Sequence, residues 1–278
     1  MPVYLNDKFV ENDKAFLHVS DLSIQRGYGV FDFFRTVNGI PLFLDDHLDR
    51  FYASAAAMYL PIRNTREELS SIIHELIKRS SLSEAGIRIM LTGGYSADSY
   101  QIAEPNLVIT CNLVKTATEN DFEKGLSIIT FEHQRELPSV KSINCLMAVW
   151  LQSLLKENNA GDLLYYKNNI ITEFPRSNVF IVTPDNKLAT PGRNVLKGIT
   201  RRNVLSLAAE MPVQERDITV DELLNASEVF LTATTKKIIP VLKINDCIIG
   251  NGKPGPVTSK LYNKFLELEK SITHLVSL

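Results

Sequence analysis

The stretch VFDFFRTVNGIPLFL, residues 30 to 44, restricts the fold most. Its apolar runs flank Asn38-Gly39, a dipeptide that accepts the positive φ values a two-residue reversal needs, so the stretch reads as two strands joined by a tight turn. Period-two alternation puts Phe31, Phe33 and Arg35 on one face of the first strand and Asp32, Phe34 and Thr36 on the other. VYLNDKFV reads as a second hairpin around Asn6 and Asp7, so the opening is β-rich.

Helical spacing follows. DDHLDRFYASAAAMYL reads as an alanine-rich helix, and TREELSSIIHELIKRS opens on a Thr65/Glu68 capping box and keeps Leu69, Ile72, Ile73, Leu76 and Ile77 on one face. IRIMLTGG and NLVITCNLV return to strand, after which the polar stretch KTATENDFEKG, residues 115 to 125, interrupts the apolar pattern. That stretch is the linker candidate, dividing an N-terminal α/β domain, 1–118, from a C-terminal domain, 119–278. Beyond it LSIITFE, LLYYK, IITEF and NVFIV read as strands, with Asn168-Asn169 turning the second into the third. Helices are expected at 141 to 157, about 200 to 210, 219 to 225 and 257 to 276, the last with Leu261, Phe265, Leu268, Ile272 and Leu275 on one stripe. The fold class is mixed α+β / α/β, in two domains.

With 45% apolar and 22% charged residues and a formal charge of -2, the chain has no electrostatic footprint for nucleic acid or an anionic membrane. Cys111, Cys145 and Cys247 form no CxxC pair, the five histidines are dispersed with no HExxH, and no apolar run approaches the ~20 residues that span a bilayer. A cytoplasmic protein without a metal site is expected. GNGKPG at 250 to 255 matches GxGxxG literally but lacks the βαβ unit that gives the motif meaning.

Lys141 is the unusual residue. ELPSVKSIN places it at the start of INCLMAVWLQSLL, which reads as a largely buried helix. There the macrodipole and the apolar neighbours both favour a neutral amine, and a neutral lysine is a nucleophile. In KGITRRNVLSLAAEM, Gly198 turns the chain while Ile199 and Thr200 open a helix whose free amides either hold an anion or simply begin a helix. VFLTATTKK ends in the hydroxyls of Thr232, Thr234 and Thr235. Arg50 fits a bidentate phosphate contact or a solvated pair with Asp46, and Glu173 in IITEFPRSNVF caps a turn or partners a cation. An amine, an anion-ready helix start and a carboxylate are together what pyridoxal 5'-phosphate asks of a protein.

RGYGVFDFFR, LDDHLDRFYASA, VKSIN, ITEFPRSNVF, LKGITRR and LTATTKKIIPV carry a resemblance over nearly the whole chain. In this order the chain resembles the class IV, fold type IV, pyridoxal-phosphate family of D-amino acid aminotransferases, branched-chain aminotransferases and aminodeoxychorismate lyase. The resemblance implies the two-domain D-amino acid aminotransferase-like fold, with the second domain binding the cofactor and carrying the catalytic lysine. Lys141 would be the covalent attachment point and proton carrier, and Glu173 would hydrogen-bond the pyridine nitrogen. Arg50, Ile199, Thr200 and Thr234 would bind the phosphate and Leu196 would pack on the ring.

On the substrate side, Phe31, Phe33 and Arg35 would face the active site. D-amino acid members trap the substrate carboxylate with an arginine and a histidine after TRG, whereas TGGYSADSY here offers Asp98 and Tyr100, leaving Arg88 and Arg26 as replacements. FPR at 174 to 176 stands where relatives carry small residues; bulk there would narrow the site, and Arg176 would be an extra contact or face solvent. The implied activity is amino transfer between an amino acid, D- or branched-chain L-, and a 2-oxo acid, by a homodimer. The alternative, with the same cofactor residues, is aminodeoxychorismate lyase, which releases pyruvate to form 4-aminobenzoate.

Overall fold

The computed structural model describes residues 1–275. Its contacts divide the chain into two units, one of Met1–Lys115, Val140–Asn144 and a short C-terminal piece from Ile272, the other of Thr116–Ser139 and Cys145–Ser271. The division after Lys115 falls near the expected boundary. The lysine segment does not follow it: Val140–Asn144 groups with the first unit, because its backbone bonds to a strand there.

In the first unit β1 (Pro2–Leu5) and β2 (Lys8–Glu11) form the expected hairpin, followed by a short helix α1 (Leu22–Arg26). β3 (Gly29–Val37) turns at Asn38 and Gly39, with φ of 52° and 76°, into β4 (Ile40–Pro41). Helices α2 (Leu44–Ala57) and α3 (Arg66–Ser80) come next, α3 with the complete Thr65/Glu68 capping box, then β5 (Ala85–Thr92) and β6 (Leu107–Leu113). The strands order as β2-β1-β6-β5-β3-β4, every pair antiparallel. Phe34, Ile87, Ile89 and Ile109 from the sheet meet Leu48 and Phe51 of α2 and Leu69, Ile73 and Leu76 of α3 in one core.

The second unit opens on α4 (Glu119–Lys124), a helix within the stretch expected to be a linker. Thr118 and Asp121 make a second capping box there, so a polar segment is ordered by its ends rather than by an apolar stripe. β7 (Leu126–Glu132) leads through the 133–145 segment to α5 (Leu146–Trp150) and α6 (Gln152–Glu157). These correct the single buried helix expected from 141 to 157: it starts at Leu146, breaks at Leu151, and leaves Leu146, Val149 and Trp150 at 71%, 69% and 66% exposure. Their spacing of three and four residues makes an apolar stripe that faces outward, which sequence alone reads as burial.

β8 (Asp162–Lys167) and β9 (Ile170–Ile171) form a hairpin through Asn168 and Asn169, and β10 (Asn178–Val182), β11 (Leu188–Thr190), α7 (Ile199–Leu207), β12 (Val213–Glu215) and α8 (Val220–Leu224) follow. β13 (Glu228–Ala233), β14 (Lys237–Ile244), β15 (Cys247–Ile248) and α9 (Pro256–Leu275) complete the chain. The strands order as β12-β11-β10-β13-β14-β7-β8-β9, with β15 on β14 and parallel pairing at β11/β12, β14/β7 and β7/β8. Glu228 accepts hydrogen bonds from the Val257 amide (3.0 Å), the Thr258 amide (2.7 Å) and the Thr258 hydroxyl (2.6 Å), holding the first turn of α9. Residue 276 and the Leu275 side chain of the expected stripe lie outside the described residues. Among the described residues no helix is long and apolar enough to cross a membrane.

Candidate active site

β3 sorts its side chains as alternation requires: Asp32, Phe34 and Thr36 are fully buried, while Phe31 and Phe33 are half-buried on the opposite face. Arg35, expected at the open end of that aromatic wall, is buried instead.

An aspartate sealed into a core needs a partner, and α2 provides two. Arg50 donates from Nε to Asp32 Oδ2 and from Nη2 to Oδ1, both at 2.8 Å, and His47 Nδ1 lies 2.7 Å from Oδ1. Burial opposes ionisation of Asp32, but the Arg50 guanidinium, then His47, overcome it and hold the carboxyl well below the usual carboxylate range. Burial pushes His47 down despite Asp32, with smaller downward contributions from Arg50 and Lys141. Arg50 therefore pairs with Asp32 and not with Asp46, and it is fixed as a bidentate fork.

The lysine segment lies along the edge of β3 that β4 leaves open. The Phe31 amide donates to Lys141 O at 2.9 Å, the Ile143 amide to Gly29 O at 3.0 Å, and the Lys141 amide to Ser54 Oγ of α2 at 3.2 Å. Lys141 thus precedes α5 in sequence, in a segment bridged to β3, and is not part of that helix's first turn. Its Nζ lies over the Phe31 ring, 4.6 Å from the centroid. Arg88, paired opposite Phe33 in the β3/β5 register, lies 4.9 Å from the Phe31 centroid and 5.7 Å from that of Phe33. Arg26 is exposed, with Nη1 donating to Gln25 O and its guanidinium 4.7 Å from the Tyr100 ring centroid. Asp98, at a position of the missing carboxylate trap, accepts the Tyr100 and Gln101 amides, which lower it below its ordinary value.

In the second unit, Glu173 follows β9 and is almost fully buried. Arg135 Nε donates to its Oε1 at 2.7 Å and the Leu196 amide to Oε2 at 2.9 Å, while Arg135 Nη2 donates to Pro138 O at 2.6 Å. Sequence reasoning missed Arg135, since nothing in HQRELP marks it, and the pair spans 38 positions. It also missed Asp32 and His47, although an aspartate on the Phe34 face of a strand was a usable signal. Tyr165, whose carbonyl receives the Thr172 amide, is pushed up to about 12 by burial. The FPR stretch forms a tight turn closed by the Phe174 amide on Ser177 O at 2.9 Å. Phe174 goes into the core rather than narrowing an open site, and Arg176 is exposed.

Gly198 is the N-cap of α7 and makes no side-chain cap, so the first-turn amides lack one. A Cβ there would stand 2.2 Å from Asn178 Oδ1, and Asn178 Nδ2 donates to Leu196 O at 2.7 Å. Ile199 and Thr200 are buried and Thr234 is half-buried. The predicted residues therefore fall into two groups: Lys141, Arg50, Arg88, Phe31 and Phe33 in the first unit, Glu173, Leu196, Ile199, Thr200 and Thr234 in the second. An uncapped helix start, a glycine cradle and a buried carboxylate paired with a guanidinium fit a phosphorylated, heterocyclic cofactor.

A structure with an antiparallel sheet unit, a mixed-sheet unit and this lysine defines a class already known. The class IV aminotransferase family profile matches residues 29–244. D-alanine aminotransferase of Bacillus licheniformis is 32% identical over 267 residues, covering 94% of each chain. A putative branched-chain-amino-acid aminotransferase of Methanocaldococcus jannaschii is 32% identical over 283 residues, covering 96% of each. Among solved structures, the T.th. branched-chain amino acid aminotransferase with pyridoxamine 5'-phosphate matches with a TM-score of 0.90 at 25% identity, over 98% of this chain and 94% of that one. Branched-chain amino acid aminotransferase from Escherichia coli shares the fold, with a TM-score of 0.87 at 24% identity over 96% and 93%. The chain belongs to the class IV aminotransferases, and is a transaminase of fold type IV.

Proposed function

We propose that the protein transfers the amino group of D-amino acids to a 2-oxo acid, using pyridoxal 5'-phosphate. One observation carries the reading: the Lys141 amine and the Arg88 guanidinium converge on one ring, 4.6 and 4.9 Å from the Phe31 centroid. An amine beside the substrate Cα and a cation for its carboxylate are what an α-amino acid requires.

Ile199, Thr200 and Thr234, together with Arg50, would hold the phosphate, Leu196 would pack on the ring, and Glu173, paired with Arg135, would accept from the ring nitrogen. When bound, the cofactor supplies a sink for the electrons released as the substrate Cα–H bond breaks. Lys141 Nζ holds the cofactor and then accepts the Cα proton. Phe31 and Phe33 form the wall along the substrate side chain, and Arg26, stacked on Tyr100, is the second carboxylate candidate.

The D-alanine aminotransferase relative supports D-amino acids. Branched-chain L-amino acids are the second reading, favoured by the archaeal relative and by Asp98, which repels a carboxylate where the D-amino acid trap stands. A homodimer is proposed from the outward stripe of Leu146, Val149 and Trp150, and a reducing, cytoplasmic setting from the three free cysteines. A transamination screen over D- and L-amino acids, with pyruvate and 2-oxoglutarate as acceptors, tests the reading. Turnover of D-amino acids only supports it, L-only turnover selects the second, and pyruvate release from aminodeoxychorismate without an acceptor overturns both.

A further inference from the structure

Building on that cofactor assignment, we propose that Thr232 is a further ligand of the cofactor's phosphate, donating its hydroxyl to a phosphate oxygen at the start of α7.

Asn178 and Thr232 stand directly opposite each other in the antiparallel β10/β13 register, so their side chains leave the same face. Asn178 marks what crosses that face at this level. Its amide donates to Leu196 O at 2.7 Å, and its Oδ1 is the atom a Cβ on Gly198 would meet at 2.2 Å. The backbone from Leu196 to Gly198 therefore lies over the face from which Thr232 projects, immediately before the first turn of α7.

Thr232 is 2% exposed, and its Oγ1 is among the buried side-chain atoms with no hydrogen-bond partner among the described residues. A hydroxyl in that condition destabilises the empty protein. α7, nine residues long, begins on a glycine that provides no side-chain cap, so its end also has donors to spare. One chemical group satisfies both: a phosphate monoester dianion, which accepts from helix amides and from a hydroxyl in charge-assisted bonds. Thr234 follows two residues on, in the turn that ends β13.

Thr232→Val keeps the shape and removes the hydroxyl. Three quantities are measured on the apoprotein: the Kd for pyridoxal 5'-phosphate, the Kd for pyridoxal, and the melting temperature with and without inorganic phosphate. The variant is expected to bind pyridoxal 5'-phosphate roughly tenfold or more weakly, the scale of a hydrogen bond to a charged group, with pyridoxal unchanged. Ligand-free, it should melt about 2 °C higher, because an unsatisfied hydroxyl is gone, and phosphate should raise its melting temperature less than that of wild type. Thr232→Ser should retain wild-type affinity.

Unchanged affinity for pyridoxal 5'-phosphate in the valine variant overturns the proposal. So does an equal loss for pyridoxal, which would make the effect one of packing, or a lower ligand-free melting temperature, which would mean that the hydroxyl already has a partner. A wild-type protein protected by inorganic phosphate in a Thr232-dependent way, yet binding no pyridoxal 5'-phosphate, overturns the cofactor reading and leaves the anion site standing.

Discussion

Replacing Asp32 by asparagine in the apoprotein tests the central ion pair of the first unit. The carboxylate is fully buried and accepts four hydrogen bonds: Arg50 Nε on Oδ2, and Arg50 Nη2, His47 Nδ1 and the Phe33 amide on Oδ1. An asparagine oxygen in the Oδ1 position keeps three of these, but its NH2 then faces the Arg50 Nε–H, donor against donor. The negative charge also disappears beside a guanidinium whose side chain is only 12% exposed. Breaking one partner of a buried pair costs about 3–5 kcal/mol. At about 2–4 °C per kcal/mol, the melting temperature at pH 7 should fall by roughly 6–20 °C.

Acid sharpens the test. A depressed carboxyl contributes stability that is fully present above its unfolded value, ~3.9, and is lost as pH falls toward the folded one. Wild type should therefore lose this contribution below about pH 4, and Asp32→Asn should lack that part of the decline. His47, also depressed, binds fewer protons folded than unfolded, so both proteins lose its share as pH falls below ~6.5. Scanning calorimetry at pH 7, 5 and 3.5, with Arg50→Gln and the double variant, completes a cycle. A drop under 2 °C at pH 7, or additive single effects, would refute the account of Arg50 as held by Asp32.

Other outcomes follow from the same geometry. Arg88→Ala should raise KM for the amino acid about tenfold with kcat less affected, in steady-state kinetics; an unchanged KM moves the carboxylate site elsewhere. Gly198→Ala forces a Cβ against Asn178 Oδ1 and should weaken cofactor binding at least tenfold by absorbance titration, with wild-type affinity as the contrary result. Arg135→Met leaves Glu173 buried without its cation, and should shift the pH dependence of the bound cofactor's absorbance; an unmoved profile denies Arg135 its role. Glu228→Gln strips charge from the α9 start and should cost about 1–2 kcal/mol in denaturant unfolding, whereas a cost below measurement means that the cap is dispensable.

Local chemistry was legible in the sequence and long-range chemistry was not. Asn38-Gly39, Asn168-Asn169 and the Thr65 capping box declare themselves within four residues, and each forms as expected. The three-residue strands β11 and β12 are too short for alternation to register. The α5–α6 run misled because apolar spacing reports a stripe but not which way it faces. The proposed cofactor residues come from motif order, and Lys141, expected to open a helix, instead sits in a segment bonded to β3, over Phe31. Asp32 with Arg50, and Glu173 with Arg135, are partnerships made by folding across 18 and 38 positions, which no local pattern announces.

The stitching of Val140–Asn144 onto β3 also governs how this chain can be cut or assembled. A ribosome releases the first 115 residues well before the strand that completes them, so the nascent first unit waits with Gly29 and Phe31 exposed along an unfinished edge. Splitting the gene at the polar stretch would strand Lys141 on the fragment that does not hold it, and the halves would have to find each other to regain it.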